Sequence, residues 1–123
     1  MLDELSFGEF ITVYRKKKRL TLRTFADMLS LSPAYISQIE SGKRPAPSLA
    51  IQQKMIMHLE LNDNEAAQMY SLAAKTKVRN PVPADIAAFI AKDEQVQAFL
   101  RWAIKCQYTG IDLLRLIEYG NDL

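Results

Sequence analysis

Between Ser32 and Arg44 the sequence runs SPAYISQIESGKR, and its chemistry gathers on one side. Ser32 is placed to cap a helix, and Pro33 takes its first position, where a missing N–H costs nothing. Ile36 and Ile39/Glu40 form the inward stripe, and Gly42 supplies a left-handed stop. The outward side then carries Pro33, Ala34, Tyr35, Ser37, Gln38 and Ser41, with Lys43-Arg44 following at once. A helix that only fills a core has no use for such a side. Small and hydrogen-bonding groups flanked by cations suit a polar, negatively charged surface, and the major groove of DNA is one.

Other chemistry finds no support. His58 is the single histidine, without acidic or Cys neighbours at ligand spacing, so it reads as a helix-end side chain. Cys106 is the single cysteine, which excludes a disulfide framework or Cys-rich zinc site within the chain and reads as packing in an amphipathic helix. Met55, Met57 and Met69 read as core or near-core filler. Glu60, Asp63 and Glu65 sit at a helix boundary, where caps and dipoles account for them. There is no Gly-rich phosphate loop, Ser/His/Asp set or HExxH, so neither catalysis, a metal nor a cofactor is expected.

The net charge of +2 over 123 residues is unevenly placed. Residues 1–44 hold eight Lys/Arg against five Asp/Glu, whereas residues 45–123 hold eight against nine. That excess fits an anionic partner, although Arg15-Lys16-Lys17-Lys18-Arg19 reads equally well as a solvated helix end. The opening MLDELSFGEF lacks a basic n-region and a long apolar stretch, and no run approaches the roughly 18 apolar residues of a bilayer span. The expectation is a cytoplasmic protein that does not engage a membrane.

The elements that must position these side chains are all helical. Phe7, Phe10/Ile11 and Tyr14 recur at helical spacing behind a Ser6 cap, in a helix ending near Lys18 or Arg19. Thr21 caps Leu22–Leu29, whose inward face is Leu22, Phe25/Ala26 and Leu29. Ser48 or Pro47 opens a fourth helix reaching Leu59. Asn62 with Glu65, or Asp63, opens a fifth. KTKVRNPVPAD reads as a linker or corner. Three amphipathic pieces follow: Pro83–Ala91, Asp93–Gln107 and Thr109–Tyr119, the last with a Thr109…Asp112 capping box. Ala26 and Ile36 stand ten residues apart on the two short helices, a spacing that lets those helices cross steeply.

These residues resemble the helix-turn-helix of the Cro/C1, or XRE, family. The matching residues run from Phe7-Gly8-Glu9-Phe10-Ile11 through Arg15-Lys16, Leu20-Thr21-Leu22 and Phe25-Ala26 to Ser32–Arg44, within about the first 75 residues. The resemblance implies an all-α chain. A five-helix lambda-repressor-like domain over residues 1–76 would precede a small helical extension over 77–123 that serves dimerisation. It implies base contacts from Pro33, Ala34, Tyr35, Ser37 and Gln38, with the Gln38 amide pairing adenine N6/N7. It implies phosphate contacts from Thr21, Arg23, Ser32, Ser41, Lys43 and Arg44, and a structural ion pair between Arg15 and Glu40. Two positions depart from the pattern. The family usually has Gly where this chain has Ser30, and often where it has Arg19. Either a non-Gly residue takes positive φ at roughly 1 kcal/mol, or the turn changes shape. The Gln that many relatives carry at the Leu22 position is also absent, which shifts phosphate binding toward Arg23 and Lys16–Arg19.

One such domain covers a single half-site, so something must hold two of them at half-site spacing. Phe99, Trp102, Leu113, Leu116 and Ile117 are the candidates for that interface, with Trp102 equally readable as a side chain buried between helices. Folding back of the extension onto the first domain is the alternative. The functional expectation is a sequence-specific transcriptional regulator, a dimeric repressor on palindromic double-stranded DNA. The rival is an antitoxin that holds a toxin through residues 77–123 and represses its own operon. The protein partner would then be a toxin, or for a plain repressor an anti-repressor.

Overall fold

The structure, a computed structural model, describes residues 5–77 and 82–121. The described residues form eight α-helices and no strand: α1 (Phe7–Lys17), α2 (Leu22–Leu29), α3 (Pro33–Glu40), α4 (Leu49–Leu59), α5 (Asp63–Lys75), α6 (Ala84–Lys92), α7 (Glu94–Lys105) and α8 (Gly110–Asn121). None is long and apolar enough to cross a membrane. Packing divides the chain into two compact units, Met1–Ala87 and Ala88–Leu123. The division falls inside α6. The first turn of α6 stays with the first unit, where burial, and then the Asp85 carboxylate, raise the pKa of Tyr70 on α5. In the expected linker Lys75–Asp85, residues 78–81 lie outside the described residues, as do residues 1–4 of the opening stretch.

Helices α1 to α5 start behind caps that the sequence offers, Ser48 and Asn62 being the ones used where it left two open. Ser6, Thr21, Ser32, Ser48 and Asn62 accept from the backbone N–H three residues on. Ser6 and Asn62 are completed into capping boxes by Glu9 and Glu65. The core is one cluster in which Phe7, Phe10, Ile11, Phe25, Ala26, Leu29, Ile36, Ile39, Met55, Leu59 and Met69 are essentially inaccessible. It forms where α2 packs on α3 and α4, and α1 on α3 and α5.

Helix ends follow a shared rule that composition hides. Arg19, Ser30, Glu60 and Gln107 are non-Gly residues at φ 58°, 57°, 53° and 56°, and Gly42 stands at 81°. After each, the next N–H reaches back five residues: Leu20 to Arg15, Leu31 to Ala26, Lys43 to Gln38, Leu61 to Ile56 and Tyr108 to Ala103. This is the Schellman closure, in which a left-handed residue satisfies the last carbonyls. The turns at Arg19 and Ser30 therefore take positive φ without glycine and bear the strain. Leu20, Leu31 and Leu61, each just after a left-handed residue, pack on the core and hold the chain in that conformation.

Two sequence expectations need correction. Met57 is 63% exposed rather than core filler, because α4 buries Gln52, Met55 and Leu59, and Met57 falls on the opposite side. Cys106 is exposed rather than packed, because α7 ends at Lys105 and the chain leaves the amphipathic register there.

Candidate nucleic-acid interface

α3 presents the polar side and α1 clamps its far end. Gly8, Thr12 and Arg15 lie along one stripe of α1, each a turn from the next. A Cβ on Gly8 would stand 2.3 Å from the Glu40 carbonyl oxygen and 2.6 Å from that of Ile39, so the helix backbones nearly touch there. Thr12 Oγ1 donates to Glu40 Oε1 at 2.9 Å. Arg15 donates from Nε to Glu40 Oε2 at 2.7 Å and from Nη2 to Oε1 at 3.1 Å. Its Nη1 donates to the Leu20 carbonyl at 2.7 Å, which ties in the loop that opens α2. The Arg15 and Glu40 side chains are each only 10% exposed, so this is a largely desolvated charge pair that fixes the end of α3 against α1.

The outward side of α3 is open. Pro33, Ala34, Ser37 and Ser41 are exposed, and Tyr35 and Gln38 are half-buried. Tyr35 leans on the core, which gives its ring a fixed place. Thr21, Arg23, Ser32, Lys43 and Arg44 are also exposed. The hydroxyls among the phosphate candidates already work for the fold. Thr21 and Ser32 cap helices, and Ser41 Oγ donates to the Gln38 carbonyl at 3.1 Å. What α2 and α3 offer an anion is the N–H groups of Leu22, Arg23 and Ala34 and the hydroxyl hydrogen of Ser32, beside cations. Arg23 and Lys43 make no side-chain hydrogen bond or ion pair with another described residue. The Arg15–Arg19 run is less free than its charge suggests. Arg15 is in the clamp, Lys17 lies 4.6 Å from the Tyr14 ring centroid, and Lys18 pairs with Glu60.

Sequence reasoning missed how Arg44 is placed. Its Nε donates to Gln38 Oε1 at 2.6 Å, and its guanidinium carbon lies 5.7 Å from the Tyr35 ring centroid. The same reasoning missed Gly8 and Thr12 as part of the clamp, although their helical spacing with Arg15 was a usable signal.

With that geometry in place, residues 12–60 match a family model, HTH_3, described as Helix-turn-helix. The matched segment is thus similar to a helix-turn-helix, as its sequence resemblance led one to expect. It spans α2, α3, α4 and the second half of α1. A solved structure titled SinR protein/SinI protein complex contains a similar chain, 18% identical, with 94% of each chain covered and a TM-score of 0.47. No match to a curated protein was found.

The second unit has a different character. Within Ala88–Leu123, Ala103 alone among the described residues is buried. Phe99, Trp102 and Tyr108 form an aromatic row, with centroids 5.7 Å apart for the first pair and 5.1 Å for the second. Trp102 is 44% exposed, Phe99 47%, Leu116 43% and Ile117 60%, whereas Leu113 is half-buried. Ile104, Ile111 and Leu114, which the sequence reading did not nominate, are more exposed than any of these.

Proposed function

We propose that the protein is a sequence-specific transcriptional repressor that binds a palindromic operator as a dimer, with α3 of each protomer in the major groove. The observation that carries this reading is the rigidly clamped α3 whose open side holds Pro33, Ala34, Tyr35, Ser37 and Gln38. Arg23, Lys43 and the first turns of α2 and α3 lie beside it for phosphates, which set register and carry little sequence information. The exposed apolar side chains of α7 and α8 support dimerisation, since the second unit buries almost nothing by itself and a two-fold partner would cover them. Occupancy of an operator overlapping a promoter would block transcription.

The test is selection from a pool of random duplexes, followed by fluorescence anisotropy on the enriched and scrambled sequences at near-physiological salt. A palindrome with half-sites about one helical turn apart, preferred by about a thousandfold, is the expected result. Equal affinity for both sequences with a steep salt dependence would refute direct readout and leave only backbone attraction.

A further inference from the structure

We infer that Arg44 acts with Gln38 as one base-reading unit, making the base they read guanine rather than adenine. The inference rests on the proposed reading of α3 and deepens it. An adenine pair uses both ends of a glutamine amide: Oε1 accepts from N6–H while Nε2 donates to N7. In this protein Oε1 already accepts from Arg44 Nε at 2.6 Å. Arginine has only donors, so the amide atom facing it must be the oxygen, whichever way the amide is drawn. The oxygen retains a lone pair, but a guanidinium beside it would meet the amino group of adenine as one donor meets another. Guanine presents two acceptors, N7 and O6, along the same edge. The Nε2 hydrogens of Gln38 and the remaining N–H groups of Arg44 form a donor-only unit that matches them.

The arrangement is held from several directions. The Gln38 carbonyl accepts from Lys43 N at 2.9 Å, from Arg44 N at 3.3 Å and from Ser41 Oγ at 3.1 Å. Side chain and backbone of Gln38 are therefore both tied to the loop that follows α3. The Arg44 guanidinium rests over Tyr35, whose ring the core keeps in place. Gly42 at φ 81° makes the sharp return that brings Arg44 back to the helix end. A unit assembled before DNA arrives does not lose side-chain freedom on binding.

Selection from random duplexes with wild type, Gln38→Ala and Arg44→Ala tests this. The position whose preference vanishes in Gln38→Ala belongs to Gln38. Wild type should hold guanine there over adenine by about tenfold. Arg44→Ala should abolish or invert that choice toward adenine while the other positions keep theirs. In the free protein, Arg44→Ala should also shift the side-chain amide resonances of Gln38 with the circular dichroism unchanged. A base other than guanine at that position in wild type overturns the inference. So does guanine persisting in Arg44→Ala, or a uniform loss of affinity for all sequences, which is the mark of a phosphate contact. Wild type that enriches no sequence refutes the proposed function itself, and this inference with it. That outcome is distinguishable because it precedes any mutant.

Discussion

Removing one partner of the Arg15–Glu40 clamp should cost far more than removing both. In Glu40→Leu, the Arg15 guanidinium, in a residue 8% exposed, loses the carboxylate that takes its Nε and Nη2 bonds. An uncompensated charge at such a site costs about 3 kcal/mol or more. In Arg15→Met, Glu40 keeps the Thr12 hydroxyl but loses its countercharge, and the Leu20 carbonyl loses its Nη1 donor. A cost of about 3 kcal/mol is again expected. The double variant removes both charges and fills the space with apolar atoms, leaving mainly the Leu20 carbonyl unsatisfied, so its cost should fall to about 1–2 kcal/mol. The cycle thus predicts that the double variant is more stable than either single one. Trp102 lies in the second unit, so its fluorescence would report on the wrong part of the chain. Methyl resonances of Ile11, Ile36 and Ile39 followed through a urea titration report the clamp directly. A double variant whose cost equals the sum of the two singles would refute the argument, because the residues would then act independently.

Gly8→Ala would drive a methyl group into the backbone of Ile39 and Glu40, and should cost about 3 kcal/mol in the same titration. Ser30→Gly should instead stabilise, by about 0.5 kcal/mol, since relief of left-handed strain slightly outweighs glycine's greater freedom when unfolded; a lowered urea midpoint would contradict that. Glu65 is held below its ordinary carboxylate pKa by the Asn62 N–H and then by the Tyr14 hydroxyl. A depressed folded pKa adds stability that is present above the ordinary carboxylate value, about 4.3, and is lost as pH falls through the folded value. Glu65→Gln should therefore flatten the acid limb of a thermal-stability profile between about pH 5 and 3. Lys43→Ala should lower the slope of log affinity against log salt by about 1 without altering base preference, as read by anisotropy across salt concentrations.

What the sequence alone determined was mostly local. The starts of α1, α2 and α3 were legible, and those of α4 and α5 to within one residue, because a cap is a contact between residues three apart that Ser6, Thr21, Ser32 and Asn62 carry in their own side chains. The inward stripe was legible for the same reason, since helical periodicity is a property of spacing. Helix ends were harder. Gly42 announced itself by its type, and Arg19 and Ser30 only through the resemblance, while Glu60 and Gln107 take the same left-handed conformation with nothing to mark them. At Arg19, Ser30 and Glu60 that conformation is supported by burial of Leu20, Leu31 and Leu61, a pattern of polar residue then leucine that is visible in sequence once its reason is known. Only the tertiary structure could place Gly8 and Thr12 against the end of α3, or expose Met57 while burying Met55. Those outcomes depend on which neighbour each helix meets. The same holds for Arg44. Its sequence position beside Lys43 suggests a phosphate cation, but the return of the chain at Gly42 brings its Nε to the Gln38 amide, and a hydrogen bond between side chains six residues apart exists only because that turn folds back.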